Sequence, residues 1–152
     1  VGGFMLNNQL TDFSLDPQRN GEPVLNRVQA RKRPRSAMSP TMVFDKDDNL
    51  KLIVGSPGGS RIINYVAQTI VNVIDFDMDV QSAISFPRVT NRNDYTTLEK
   101  GTSITSLEEA LVKKGHEVQI RDLNSGIHAV MIKDGKLYGG ADPRREGVAA
   151  GD

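Results

Sequence analysis

Six residues, GSPGGS at 55–60, are of the right types to hold negative charge. They sit between the apolar run LKLIV and the segment RIINYVAQTIVNVI, whose apolar residues recur at helical spacing. This is a Gly-rich turn between an expected strand and an expected helix. Gly58 and Gly59 lack a Cβ, so their backbone N–H groups can come close to a ligand. Pro57 fixes the entry to the turn. The start of the helix offers unsatisfied N–H groups and a partial positive charge. Such a place can stabilise the oxyanion of a tetrahedral acyl-transfer intermediate. A plain strand-to-helix turn accounts for the same residues, because Gly pairs are common turn punctuation. Three familiar motifs do not fit. A phosphate loop needs Gly and then Lys where Ser60 and Arg61 stand. A dinucleotide fingerprint needs Gly where Pro57 stands, and a nucleophile elbow on Ser56 needs Gly where Val54 stands.

The elements that must carry this turn are legible in outline. TMVFD and LKLIVG flank KDDN, a hairpin. Ile62, Ile63, Val66, Ala67, Ile70, Val71 and Ile74 are expected to form one core-facing helical stripe. A short helix is expected over 80–85, stopped by Pro87, and strands over 3–6 and 96–99. SITSLEEALVKKGH carries a Ser cap candidate, acidic first turns, basic last turns and Gly115, so it is expected to be helical. EVQIRDL, IHAVMI and KLYGGA alternate as strands, with KDG as a hairpin turn. Residues 14–36 are polar and Pro-rich and are expected to form a long loop, with Arg31, Lys32, Arg33 and Arg35 as a solvated basic run. The order of elements suggests an α+β layered fold with largely antiparallel sheet, in one domain spanning 1–152.

Composition removes several chemistries. Lys plus Arg and Asp plus Glu are 19 each, so the chain lacks the basic excess of a dedicated nucleic-acid binder. No Cys excludes disulfides, thiolate metal sites and Cys nucleophiles, and two His make a multi-His metal centre a poor fit. No metal or cofactor is expected. No apolar run is long enough to span a membrane. His116 and His128 are expected to be packing residues.

NNQLTDFS at 7–14, KRPRSAMSPT at 32–41 and GGADPRREG at 139–147 accompany GSPGGSRI in this order. Together the four stretches resemble the small, C-terminal subunit of the gamma-glutamyltransferases, over nearly the whole chain. The resemblance implies an N-terminal-nucleophile hydrolase fold, with two stacked antiparallel sheets between helix layers (αββα), incomplete in this chain. It implies a self-cleaving precursor whose new N-terminal Thr is the nucleophile, with its own amine as base. The substrates would be glutathione and other gamma-glutamyl compounds, with a gamma-glutamyl enzyme as intermediate. By motif, Asp12 resembles the carboxylate that binds the substrate's alpha-amino group, and Gln9 adds a second polar contact to it. Ser36 resembles the Ser that helps to bind the alpha-carboxylate, and Gly58 and Gly59 resemble the oxyanion-hole glycines. Asp142 and Arg144 are expected to tie down a turn.

This sequence departs from the pattern in three places. Ala37 stands where many members have a second Ser, so carboxylate binding or acyl specificity is expected to differ. An acylase acting on another amide, or a non-catalytic binding domain on the same scaffold, is the alternative. The loop over 14–32 lacks the aromatic residue that some members use as a lid. Position 1 is Val, and no Thr precedes Thr11, so the nucleophile is expected upstream of residue 1. The large subunit of the same precursor, which supplies the Arg for the substrate carboxylate, is the implied partner. The implied setting is periplasmic or extracellular. The purified 152-residue chain is accordingly expected to leave a gamma-glutamyl anilide intact and to self-associate through surface that the full protein buries. Turnover above a mock preparation refutes this placement of the nucleophile, and a compact monomer in light scattering refutes the self-association.

Overall fold

The computed structural model describes residues 2–3 and 6–151. Phe4 and Met5, at the centre of the strand expected over 3–6, lie outside the described residues. The chain divides into two compact units, Val1–Ala37 and Met38–Asp152.

In the first unit a 3₁₀ turn, Gln9–Asp12, is followed by a two-stranded antiparallel hairpin, β1 (Gln18–Arg19) and β2 (Glu22–Pro23). The expected plain loop therefore contains a hairpin. Its cause is Asn20-Gly21, which take φ of 54° and 82°, the left-handed pair of a tight hairpin turn.

The second unit starts with β3 (Thr41–Phe44) and β4 (Leu50–Gly55), and then α1 (Ile62–Ile74) and α2 (Val80–Ser85). It continues with β5 (Val89–Asn91), β6 (Thr96–Glu99), α3 (Glu108–Lys113), β7 (Val118–Arg121), β8 (His128–Lys133) and β9 (Lys136–Ala141). One sheet has the order β3-β4-β8-β9 and is antiparallel throughout. The other has the order β5-β6-β7, and its β6–β7 pair is parallel within otherwise largely antiparallel sheet, as expected. The segment between β6 and β7 is a crossover through α3, which is what parallel neighbours require. Its front part, Ser103–Leu107, is 3₁₀ rather than α, and Ser103 makes no cap because the N-cap position is Thr102. The β3–β4 turn is held by Asp45, whose Oδ1 accepts from the Asp47 and Asn49 N–H groups at 2.9 Å each. The Asn49 N–H, with help from other donors, holds this carboxyl down at about 2.

The core lies between the four-stranded sheet and the first two helices. Leu52 and Val54 of β4 and Ala129 of β8, with Ile127 just before it, meet Ile62, Tyr65, Val66 and Val73 of α1 and Val80, Ala83 and Ile84 of α2. Burial of each large apolar side chain contributes about 1.5–3 kcal/mol. The α1 stripe is narrower than expected. Ile62, Tyr65, Val66, Thr69, Asn72 and Val73 are buried, whereas Ile63, Ala67, Val71 and Ile74 are exposed. The apolar residues of α1 cover more than one face, and only the side toward β4, β5 and α2 is covered. α2 starts from Asp79, whose carboxylate accepts from the Ser82 N–H at 3.0 Å. It lies so close to β9 that a Cβ on Gly140 would stand 2.6 Å from Ile84 Cδ1. His116 and His128 are exposed rather than packed in the core, and His116 pairs through Nδ1 with Thr96 Oγ1 at 3.0 Å.

A buried ionic cluster ties these layers. Arg88 and Asp142 are fully buried, with Arg88 Nη2 3.6 Å from Asp142 Oδ2. Arg144 Nη1 donates to Asp142 Oδ1 at 3.1 Å, and Arg144 Nη2 donates to Glu99 Oε2 at 2.7 Å. The guanidinium of Arg144 also reaches the carbonyls of Ile84, Ser85 and Phe86 at the end of α2. Burial pulls Arg88 down to about 10, assisted by the Arg144 charge and opposed by Asp142 and Glu99. Burial alone would raise Asp142, but bonds from Ser125, the Arg144 and Ile127 N–H groups and the Arg144 side chain outweigh it and hold the carboxyl low. Asp142→Ala leaves buried guanidinium charge uncompensated and is expected to cost about 3–5 kcal/mol in denaturant unfolding. Because the folded pKa of Asp142 is depressed, its contribution is complete above the ordinary carboxylate range and disappears as pH falls through the folded value. The Asp142→Ala variant should therefore show a smaller loss of stability between neutral and strongly acidic pH than the parent.

Candidate active site

The turn at 55–60 is built by its two flanks. β4 ends at Gly55, and a 3₁₀ turn, Gly59–Arg61, runs straight into α1. Gly58 takes φ 141° and Gly59 takes φ 58°, both in the range that disfavours side chains. The two glycines have different reasons to be glycine. A Cβ on Gly58 would lie 2.7 Å from Tyr65 Cε2 and 3.1 Å from Cδ2, and Tyr65 is fully buried and has no room to withdraw. Burial raises the Tyr65 phenol, partly offset by the charge of Arg61. Nothing lies within 4 Å of the Cβ position of Gly59, so that side of the turn is open.

At Gly58 and Gly59 the carbonyls are used, and among the described residues the amides are not. Gly58 C=O accepts from the Arg61 N–H at 3.3 Å, and Gly59 C=O accepts from the Ile62 N–H. Among the described residues, neither the Gly58 nor the Gly59 N–H donates to a protein acceptor. Two amide donors thus remain at the mouth of a thirteen-residue helix, where the backbone dipole favours negative charge.

In the first unit the structure brings Gln9 and Asp12 together. Gln9 Nε2 donates to Asp12 Oδ2 at 2.8 Å, and both residues are half-buried. Asp12 is fixed through its backbone as well, since its carbonyl accepts from Asn26 Nδ2 at 2.7 Å. Asn26 Oδ1 in turn accepts from the Arg35 N–H at 2.9 Å, next to Ser36. Among the described residues Asp12 makes no ion pair, so its carboxylate is available to a cation. Ser36 is exposed and Ala37 half-buried at the end of this unit. Asn26 was not singled out by sequence reasoning, and nothing in its spacing marks it.

The sequence model of the Gamma-glutamyltranspeptidase family matches residues 1–152. The chain belongs to this family. The glutathione hydrolase proenzyme of Escherichia coli (strain K12) is 41% identical over 153 residues, a match covering 93% of this chain and 26% of that protein. The glutathione hydrolase proenzyme of Bacillus subtilis (strain 168) is 39% identical, over 98% of this chain and 25% of its own length. The chain thus spans about a quarter of the length of these curated relatives. A gamma-glutamyltranspeptidase of Helicobacter pylori, solved as a mutant, superposes with a TM-score of 0.79 at 38% identity, covering 94% of this chain and 82% of that one. The fold described above, with largely antiparallel sheet and few helices, is therefore the one seen in solved gamma-glutamyltranspeptidases. Among the described residues of this family member, no group of three or more His, Cys, Asp or Glu side chains could hold a metal ion. No helix among them is long and apolar enough to cross a membrane.

Proposed function

We propose that this chain forms part of a gamma-glutamyl-transferring and -hydrolysing enzyme acting on glutathione and other gamma-glutamyl amides. The observation that carries the reading is the pair of unused amides, Gly58 and Gly59, at the start of α1 in a chain of this family. They serve as the oxyanion hole. A Thr hydroxyl attacks the gamma-carbonyl, and its proton passes to the amine that serves as base. The carbonyl electron pair moves onto oxygen, and the resulting oxyanion is held by the two N–H groups. As the intermediate collapses, the base returns that proton to the amide nitrogen, the C–N bond breaks and the leaving amine departs, which leaves a gamma-glutamyl ester. Water or an acceptor amine then takes the acyl group. Asp12, positioned by Gln9, pairs with the alpha-ammonium of the glutamyl group, a charge-assisted contact. Ser36 contributes to the alpha-carboxylate. The partner is the large subunit of the same precursor, and the setting is periplasmic or extracellular.

A second reading has its own support. Ala37 removes one hydroxyl from the carboxylate side, and the acylase ACY 1 proenzyme of Pseudomonas sp. (strain V22) is 33% identical over 96% of this chain, a match spanning 25% of that protein. Under this reading the same oxyanion turn acts on an amide with a different acyl group.

Two variants of the full-length protein test the assignment. Gly59→Val sets a β-branched residue at φ 58° and disturbs one donor, so kcat is expected to fall roughly 10²–10³-fold with a smaller effect on KM. A normal kcat removes the oxyanion role. Asp12→Ala should impair gamma-glutamyl substrates by about 2–5 kcal/mol in transition-state stabilisation and spare an acyl substrate that lacks the alpha-amino group. Equal losses on both substrates make Asp12 a structural residue and favour the acylase reading.

A further inference from the structure

The Pro57–Gly58 peptide carries one of the two amides assigned to the oxyanion. Its carbonyl is not idle. Ser56 Oγ donates to Pro57 O at 2.6 Å. A trans peptide is planar, with N–H and C=O on opposite edges, so a bond that holds the carbonyl also sets the direction of the Gly58 N–H. Gly58 at φ 141° has no side chain to resist a flip of this peptide. The hydroxyl of Ser56 is therefore the local restraint on it.

Ser56 is itself held from the far side of the sequence. The Gly126 N–H donates to Ser56 Oγ at 3.2 Å, across 70 positions. Gly126 is pressed against the turn, because a Cβ there would lie 2.7 Å from Pro57 Cγ and 2.6 Å from Arg145 Cδ. The residues on either side of Gly126 are anchored in the buried ionic cluster. Asp142 Oδ2 accepts from Ser125 Oγ at 2.6 Å and from the Ile127 N–H at 3.2 Å. Arg88 Nε donates to the same Ser125 Oγ at 3.2 Å. Ser125, Ile127, Arg88 and Asp142 are all fully buried or nearly so.

We propose that Ser56 is a positioning residue that locks the Pro57–Gly58 peptide with its N–H available to the oxyanion, and that Gly126, braced by Ser125 and Asp142, holds Ser56 in place. The chain of restraint runs Asp142, Ser125, Gly126 N–H, Ser56 Oγ, Pro57 C=O, Gly58 N–H. Ser56 touches no reacting atom in this scheme. It also polarises the peptide, since a carbonyl that accepts a hydrogen bond makes its own N–H a better donor. The inference rests on the oxyanion reading of Gly58 and Gly59.

The test uses the full-length protein with a gamma-glutamyl anilide as substrate and a gamma-glutamyl boronic acid as a tetrahedral adduct former. Ser56→Ala is expected to lower kcat about tenfold, as a donor displaced from its productive position does, with KM within about twofold. The boronic acid should lose affinity by a factor matching the loss in kcat, because both need the oriented N–H. Ser56→Thr retains the hydroxyl and is expected to recover most of the rate. Gly126→Ala forces its Cβ onto Pro57 and should give the same pattern as Ser56→Ala. The inference is overturned by a Ser56→Ala enzyme with unchanged kcat and unchanged boronic acid affinity. It is overturned equally by a loss confined to KM, or by Ser56→Thr performing no better than Ser56→Ala. In those cases a damaged Gly59→Val enzyme shows that the oxyanion reading survives without this brace. Normal turnover by Gly59→Val removes the oxyanion reading and the brace together.

Discussion

The second unit depends on one buried carboxylate. Asp142 accepts bonds from Ser125, Ile127 and Arg144 and neighbours Arg88, all with little or no exposure to water. Two guanidinium groups and two carboxylates occupy this region, so the charges balance locally. Such a cluster is not a large source of net stability, since desolvation offsets much of the attraction. What it does is make the arrangement exclusive. Arg144 collects the last carbonyls of α2, Glu99 belongs to β6, and Asp142 follows β9 directly. A shift of any one of these elements leaves a buried charge without a partner. The cluster therefore fixes the positions of a helix end, a strand of the second sheet and the end of the first sheet at the same time.

The apolar core and this cluster meet at the Gly-rich turn. Tyr65 belongs to the core and fills the space behind Gly58. The 125–127 segment belongs to the cluster and closes on Ser56 and Pro57. The turn is held on one side by packing and on the other by hydrogen bonds, which leaves the Gly59 side open. An oxyanion site needs this combination. Its donors must be fixed before the charge appears, because reorganising them during the reaction would return the advantage to water. The free amides at a helix start are common, but free amides with both flanks fixed are a stricter condition.

Local chemistry was legible in the sequence, and long-range polar contacts were not. The β3–β4 and β8–β9 hairpins, α1, α2 and the strand at Thr96–Glu99 all follow from turn residues and periodicity. The hairpin at Asn20-Gly21 carries the right dipeptide but no strand pattern, because its strands are only two residues each and exposed. The α1 stripe expected from the sequence is wider than the buried one, because isoleucine and valine occur on both sides of the helix and periodicity does not say which side is covered. β5 at Val89–Asn91 gave too short a run to register. The motif residues Gln9, Asp12, Gly58 and Gly59 could be singled out by family resemblance. Arg88, Ser125 and Gly126 could not, because the long-range partners that define their roles lie 11 to 70 positions away and no spacing rule connects them. ADPRREG signalled a structural role for Asp142 and Arg144, yet not that the partners would be a buried arginine and a glutamate.

The two units hold their proposed site residues by different means. Gly58 and Gly59 are backed by a core residue and a buried ionic cluster, so moving them disturbs many contacts together. Asp12 is held by the bond from Gln9 and by the Asn26 bond to its carbonyl, in a unit whose buried hydrophobic core among the described residues is Phe13. Each such hydrogen bond contributes only about 0.5–1.5 kcal/mol net. On the proposed reading, the rigid part does the chemistry that every amide substrate shares, namely holding an oxyanion. The softer part recognises what distinguishes one acyl group from another. A change such as the Ala at position 37 then removes a polar contact from the recognition side and leaves the oxyanion turn unaltered. Acyl preference can therefore shift on this scaffold without rebuilding the catalytic turn, because the two properties are stabilised by separate sets of interactions.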